Sequence, residues 1–412
     1  HNEECIKGIA IKEQLFIEYA RRKEVSGIST FNFAHYFANS MPHTDIEMPA
    51  QDLNTPGPKP RKIKKYSLTI DNGFLPKHEY PVYSPNAAFW YVREAMRPVT
   101  VIPREYNHSF YDDKPVIRTL DIFNDTLSEQ NVKVVVCVRQ GEEAIHNETF
   151  EFKQTAGQYI TKKIEFMPKK VLGKTKVHFL CNLYHDDKLM YTLKKDYCIY
   201  PSELKTKPVT EKRALYYGEK DDFEKLKTLI PNIQRIDNIH QLADKDGLLI
   251  IGSHIEDSEA EMQPTLYGFL NNGGSILVFE QFSFSIGSMT INKKNFIRAH
   301  ASDYSHPVLK GLSNDDFMFW HEECLEDGPR PFIHGAFEKP VQGNFNMILE
   351  CSFGDFGDGG DLWTPLLEYN MKNSTVLCNQ LELMDNFDTV PQAAILLRNM
   401  VSYLLDKDNR LK

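Results

Sequence analysis

Residues Ala87–Thr126 read AAFWYVREAMRPVTVIPREYNHSFYDDKPVIRTLDIFNDT, and two structural periods meet inside that stretch. Phe89, Val92 and Met96 fit one face of an amphipathic helix, which Pro98 ends. From Val116 onward the apolar residues alternate: Val116, Leu120 and Ile122 separate polar neighbours until Asn124-Asp125 turns the chain. That is the pattern of a half-buried antiparallel strand. The stretch is a seam between two domains, and the segments on either side can be read from it.

Downstream, strand follows strand: Val116–Phe123, Val132–Arg139, Glu148–Lys153, Tyr159–Phe166, Lys176–Tyr184 and Leu189–Ile199. Turn residues at Gln140-Gly141, Ala156-Gly157 and His185-Asp-Asp187 separate them at the spacing of a small antiparallel sandwich. At Arg213 the period changes to strand and helix in alternation. Strands at Ala214–Tyr217, Gln234–Ile236, Gly247–Gly252 and Ser275–Glu280 flank helices at Asp221–Leu229 and Glu259–Leu270, and a strand at Ser374–Gln380 and a helix at Gln392–Leu405 close the chain. Fully apolar strands joined by helical crossovers predict a parallel, doubly wound sheet.

Upstream, Ile6, Ile9, Ala10, Phe16, Ile17 and Ala20 recur at helical spacing, Arg21–Lys23 place positive charge in the last turn, and Gly27 marks the stop. A strand over Gly27–Phe33 is expected next. One helix and one strand cannot bury both their faces, so this pair should complete a larger sheet or barrel whose earlier strands lie elsewhere. The Pro-, Gly- and Lys-rich segment from Met41 to Pro85 reads as a wrapping linker with a short strand near Tyr66–Ile70, and Lys59–Lys65 (KPRKIKK) as its solvated part.

With 412 residues, 41% of them hydrophobic and 25% charged, the chain can build two or three cores. Its apolar runs are strand-sized and too short for a bilayer, so no membrane partner is expected. A net charge of −9 argues against a nucleic-acid surface. The seven cysteines are dispersed through apolar segments, which predicts buried free thiols rather than a metal site. No metal and no cofactor are expected. No secretory signal is visible at HNEECIKGIAIKEQ, and the start at His1 points to a processed or truncated chain.

The order of these segments, the seam from Arg93 to Thr126, and the blocks DGLLIIGSH, NNGGSILVFEQ, SHPVLKGLSNDDFMFW, DLWTPLLEYNMKNSTVLCNQLELM and PQAAILLRNMVSYLL resemble the C-terminal half of multidomain glycoside hydrolase family 2 proteins. The resemblance covers nearly the whole chain and rests on the order of soft motifs. It implies four segments: residues 1–50 as the last helix-strand-helix unit of a (β/α)8 barrel, 51–100 as a linker wrapping the barrel, 101–202 as an immunoglobulin-like β-sandwich, and 203–412 as a degenerate class I glutamine amidotransferase-like (flavodoxin-like) α/β domain. It implies a retaining exo-glycosidase acting on oligosaccharides of plant or microbial polysaccharides, in a periplasmic or extracellular setting. The two catalytic glutamates of such enzymes sit on earlier barrel strands, so no catalytic residue is expected in this chain. Carbohydrate, the rest of the barrel and a second copy through the α/β domain are the implied partners.

Glu3 and Glu4 are read as a solvated helix start rather than as catalytic acids. Asn32, His35 and Tyr36 fall at the carboxyl end of the expected barrel strand, where they are placed to hydrogen-bond or stack on a sugar, against the plainer reading of a packed barrel rim. The α/β region has no Cys at a strand end, and adjacent Ser253 and His254 on an extended strand point apart, so an amidotransferase or esterase activity is the less favoured alternative. A non-catalytic carbohydrate-binding or assembly module is the other. Asp355, Asp358 and Asp361 lack the alternate-residue spacing of a calcium loop and are read as turn residues. Trp320-His321 and Trp363 could line a sugar groove across from the barrel, but a Trp in the strand expected over Phe-Met-Phe-Trp320 is read as core.

Overall fold

A computed structural model of the chain describes residues 2–30, 36, 38–40, 69–71, 85–242, 247–256, 259–301, 303–321, 324–325, 328–340, 343–355 and 359–406. It is β-rich, with several sheets and a minority of helices, and divides into two compact units whose main boundary falls between Ile199 and Tyr200.

The first unit opens with α1 (Asn2–Arg22), whose first turn holds Glu3 and Glu4. Its stop comes earlier than Gly27. Glu24 takes a left-handed φ of 54°, and the Glu24 and Val25 amides donate to Arg21 and Ala20 carbonyls at 3.0 and 3.2 Å, closing the last turn. The strand expected from Gly27 is not formed over residues 27–30, which pair with no other described strand; residues 31–33 lie outside the described residues. Further on, β1 (Ala38–Ser40) pairs with β2 (Thr69–Asp71).

Helix and then strands follow across Ala87–Thr126 as the two periods predict, but both lie within the same compact unit, and one helix residue differs from expectation. Helix α2 (Ala87–Ala95) starts at Asn86, whose side chain accepts from the Ala88 and Phe89 amides at 2.9 and 3.4 Å. Met96, expected on the buried face, is instead the C-terminal cap and is 41% exposed. Ala10 and Ile17 of α1 pack with Tyr36 and with Ala88, Val92 and Ala95 of α2 in one small apolar cluster.

Two antiparallel sheets follow. β3 (Val99–Pro103), β5 (Val116–Asn124) and β8 (Gln158–Phe166) form one in the order β3-β5-β8. β4 (Ser109–Tyr111), β6 (Gln130–Gln140), β7 (Glu143–Gln154), β9 (Thr175–His185) and β10 (Lys188–Tyr200) form the other in the order β4-β10-β9-β6-β7. Alternate residues of both sheets, among them Leu120, Ile122 and Ile164 from one and Val134, Val136, Phe179 and Leu183 from the other, share a single core. Each such side chain contributes about 1.5–3 kcal/mol by leaving water. Turn chemistry sets the register. Asp186 and Asp187 both take positive φ (45° and 63°), which matches the twist of the β9–β10 hairpin.

The core also holds a charge. Arg118 on β5 is fully buried, and its guanidinium donates to Tyr197 Oη (3.0 Å), Ile117 O (2.6 Å) and Asn107 O (2.5 Å). It lies between the rings of Phe110 and Tyr197, 4.7 and 4.6 Å from their centroids. Neutral oxygens and two π faces thus replace its hydration.

The second unit contains β11 (Ala214–Tyr217), α3 (Lys220–Leu229), β12 (Ile233–Arg235), β13 (Leu248–Ile251), α4 (Glu259–Asn271), β14 (Ser275–Val278), β15 (Ser285–Ile286) and β16 (Met289–Phe296). After β17 (Cys324–Leu325) and β18 (Gly328–Pro329), a two-stranded ribbon grouped with the first unit, come β19 (Ile333–Glu338), β20 (Phe345–Asp355), β21 (Gly359–Asn370), β22 (Thr375–Asn379), α5 (Leu383–Asn386) and α6 (Pro391–Leu405). Strands β12-β11-β13-β14-β22 lie side by side, all parallel. Helix α4 covers Leu249, Ile251, Ile276 and Val278 with Met262, Leu266, Phe269 and Leu270.

Beyond β22 the sheet continues antiparallel through β21, β19, β16 and β15, with β20 paired to β21. The strand expected over the Phe-Met-Phe-Trp run is absent. Asn314–Phe317 is a 3-10 turn, and Trp320 is buried at 3% exposure with its ring 4.5 Å from that of Phe332. Trp363 is also buried, so neither indole faces a groove. Asp355 and Gly359 pair across the β20–β21 hairpin, while Asp358 lies outside the described residues. Cys181, Cys351 and Cys378 are buried free thiols, and Cys137 and Cys198 are half-buried. Among the described residues no helix is long and apolar enough to cross a membrane.

Candidate functional site

Because β11, β13, β14 and β22 run parallel, the residues that follow them leave the sheet at one edge: Gly218, Gly252-Ser253-His254, Phe279-Glu280-Gln281 and Gln380. In parallel sheets this carboxyl edge is where ligands bind. The strand expected to reach Glu280 stops at Val278, which frees Glu280 and Gln281 to turn across the strand ends.

Gln281 ties the edge together. Its amide nitrogen donates to Gly252 O (2.6 Å) and Phe279 O (3.0 Å), its Oε1 accepts from the Ile255 amide (3.0 Å), and its own backbone N–H donates to Gln380 Oε1 (3.2 Å). Ser253 Oγ donates to Glu280 Oε1 at 2.8 Å, and the His254 amide donates to Glu280 O at 2.9 Å. Glu280 is 5% exposed, and its Oε2 has no hydrogen-bond partner among the described residues. Burial pushes this carboxyl up to about 8, with Asp385 and Asp222 adding to the rise against the hydrogen bond from Ser253. At neutral pH Glu280 therefore holds its proton and offers a donor.

A second acid at the same edge is shifted the other way. Burial would raise Glu382, but hydrogen bonds from His321 (3.0 Å) and His334 (2.8 Å) outweigh it and leave the carboxylate well below its usual range. The two carboxyls thus carry opposed shifts, each set by its own neighbours. Among the described residues no group of three or more His, Cys, Asp or Glu side chains is arranged to hold a metal.

His254 takes a φ of 51° in the turn between β13 and α4, a conformation that is costly for a residue with a Cβ. Its ring stacks on the 79% exposed Phe282 at 3.9 Å between centroids, and partial burial lowers its pKa against the pull of Asp385 and Glu382. The Ser253 hydroxyl is engaged by Glu280, so the adjacent Ser253 and His254 do not present a ready nucleophile and base.

Tyr216 closes the floor. Its hydroxyl is buried without a partner among the described residues, and a Cβ on Gly252 or Gly218 would meet it at 2.5 Å. Gly252→Ala is expected to cost about 1–3 kcal/mol by overpacking. Adding Tyr216→Phe removes the clashing atom and should recover most of that loss in urea denaturation; a purely additive double variant would show that the approach is not the cause.

Of the residues read from the sequence as sugar contacts, Tyr36 is 6% exposed in the α1–α2 cluster, and burial raises its phenol pKa against a hydrogen bond from Thr30. Asn32 and His35 lie outside the described residues. The sequence places Ser253, His254, Glu280 and Gln380 at strand ends and offers His321 only beside Trp320 in a sugar groove; Glu382 and His334 were missed. The signal for Glu382 was present: the apolar run Val376–Cys378 breaks into Asn-Gln-Leu-Glu where β22 ends.

No family model matches the chain, and no curated protein matches it. Among solved structures it is similar to a chain in the complex of zinc 2-glycoprotein and prolactin inducible protein from human seminal plasma, at 9% identity and a TM-score of 0.20, over 26% of this chain and 97% of that one. A similarity of that size carries no argument about either fold or function.

Proposed function

We propose that this chain is the C-terminal accessory portion of a family 2-like retaining exo-glycosidase acting on plant or microbial oligosaccharides. On this reading α1 closes a catalytic barrel, the two packed sheets are an immunoglobulin-like spacer, and the second unit is an amidotransferase-like domain that scaffolds or joins subunits. The catalytic glutamates belong to barrel strands not in this chain. Beyond the sequence resemblance, α1 carries the observation in favour. It buries Ala10 and Ile17 on one side, while Ile9 and Phe16 on the next face stand 50% and 60% exposed, as on a helix that has a further apolar neighbour to meet.

A second reading, an esterase- or amidotransferase-like hydrolase using His254, is favoured by the left-handed turn at His254 beside a protonated Glu280. One assay separates them. The isolated chain is expected to release no nitrophenol from nitrophenyl glycosides, and hydrolysis there would overturn the accessory role. Release from nitrophenyl acetate that disappears in His254→Ala would establish the second reading instead.

A further inference from the structure

A cleft of about 400 Å3 opens in the first unit between α1, α2, β3 and β10. That volume lies within the range of small-molecule sites, about 300–1,000 Å3.

Its wall is a fixed acceptor. Glu18 is 4% exposed; Oε1 receives the Gln14 amide at 2.6 Å and Oε2 the Tyr106 hydroxyl at 2.5 Å, which leaves each oxygen a further lone pair. Tyr191 lies opposite. Burial raises its phenol pKa against a hydrogen bond with Thr100, so the hydroxyl stays protonated as a neutral donor and acceptor. Trp90 forms the rim. It is 46% exposed, held edge-on by Phe89 (5.1 Å, 87°), with Arg93 5.4 Å from its ring centroid.

A flat exposed aromatic, a braced carboxylate and neutral hydroxyls suit a ligand with an apolar ring face and a rim of hydroxyls. The lining offers no net charge to an anion, because Glu18 and Glu94 are matched by Lys194 and Lys195, and the nearby Arg97 is committed to Glu94 at 2.8 and 2.9 Å, which leaves no arginine fork. We propose that this cleft is a non-catalytic binding site for neutral saccharides, one or two sugar rings long. The inference rests on the carbohydrate reading above but stands on different residues.

Calorimetric titration of the full chain with cellobiose, xylobiose, mannobiose and digalacturonate tests it. At least one neutral disaccharide is expected to bind saturably in the millimolar range, digalacturonate not at all, and Trp90→Ala to weaken binding at least tenfold with an unchanged thermal midpoint. His254→Ala should leave affinity unchanged. No binding by any neutral sugar, binding that survives Trp90→Ala, or preference for digalacturonate would overturn the proposal. The glycosidase reading fails on a different readout, turnover of nitrophenyl glycosides, so either can fall alone.

Discussion

Asp121→Ala is expected to destabilise the first unit by about 3–5 kcal/mol, lowering its thermal midpoint by more than about 6 °C. Asp121 is fully buried at the join of α1 and the sheet β3-β5-β8. It accepts from Arg22 Nε (2.9 Å), from Arg104 Nε and Nη2 (2.8 and 2.9 Å) and from Thr161 Oγ1 (2.7 Å). Next to it Arg21 donates to Ala95 O (2.6 Å) and Asp125 Oδ2 (2.7 Å) and stacks over Phe123 at 4.4 Å. Removing the carboxylate leaves the Arg22 guanidinium, whose side chain is only 15% exposed, with the neutral acceptors Tyr106 Oη (3.4 Å) and Pro103 O (3.2 Å) but without its ion-pair partner, and a buried charge that loses that partner costs more than the pair gains. The triple change Asp121→Leu, Arg22→Leu, Arg104→Leu should therefore be less harmful than the single one. A loss below about 1 kcal/mol for Asp121→Ala would mean that water enters the join and re-solvates both arginines.

The join was only partly legible in the sequence. Alternation of apolar residues located all six long sandwich strands, because one face of each is buried or, in β7, half-buried, and period two survives any change of partner. Arg118 broke that pattern on the inward face of β5, and nothing local announces that Phe110 and Tyr197, both from strands of the other sheet, will sandwich it. The basic last turn of α1 was visible, yet its role was read as complementing the helix dipole. Arg21 and Arg22 in fact reach across about a hundred residues of chain to Asp125 and Asp121. In the second unit the central parallel strands β13, β14 and β22 are nearly continuous apolar runs and stand out. The antiparallel extension through β16, β19, β20 and β21 does not, because residues such as Ile-Asn-Lys-Lys-Asn in β16 are mostly polar and are held as strand by their neighbours' ladders rather than by their own composition. The carboxyl-edge site had the same fate: Ser253, His254, Glu280 and Gln380 were legible at strand ends, but their convergence, and the part played by Glu382 and His334, depends on strand order.

Glu280→Gln should change the sign of its effect with pH. In the unfolded chain a glutamate titrates near 4.3, whereas burial holds the folded Glu280 near 8. Between those values the native state keeps a proton that the unfolded state has lost, so the contribution of Glu280 is fully present below pH about 4 and declines as pH rises, by about 1.4 kcal/mol per unit. The decline levels off above pH about 8, at no more than about 5 kcal/mol. Glutamine keeps the shape and an oxygen for Ser253 Oγ but cannot ionise, and its NH2 gains no acceptor. At pH 5 the variant should thus be slightly less stable than the parent, by about 1 kcal/mol, and at pH 9 more stable by about 2–4 kcal/mol. Urea denaturation of both proteins from pH 5 to 9 reads this directly, because titration of every other group, Glu382 included, cancels in the difference. A difference that stays flat with pH would show that Glu280 is ionised throughout the folded state. The carboxyl edge would then hold two carboxylates and no acid, and the hydrolase reading built on a protonated Glu280 beside His254 would lose its proton source.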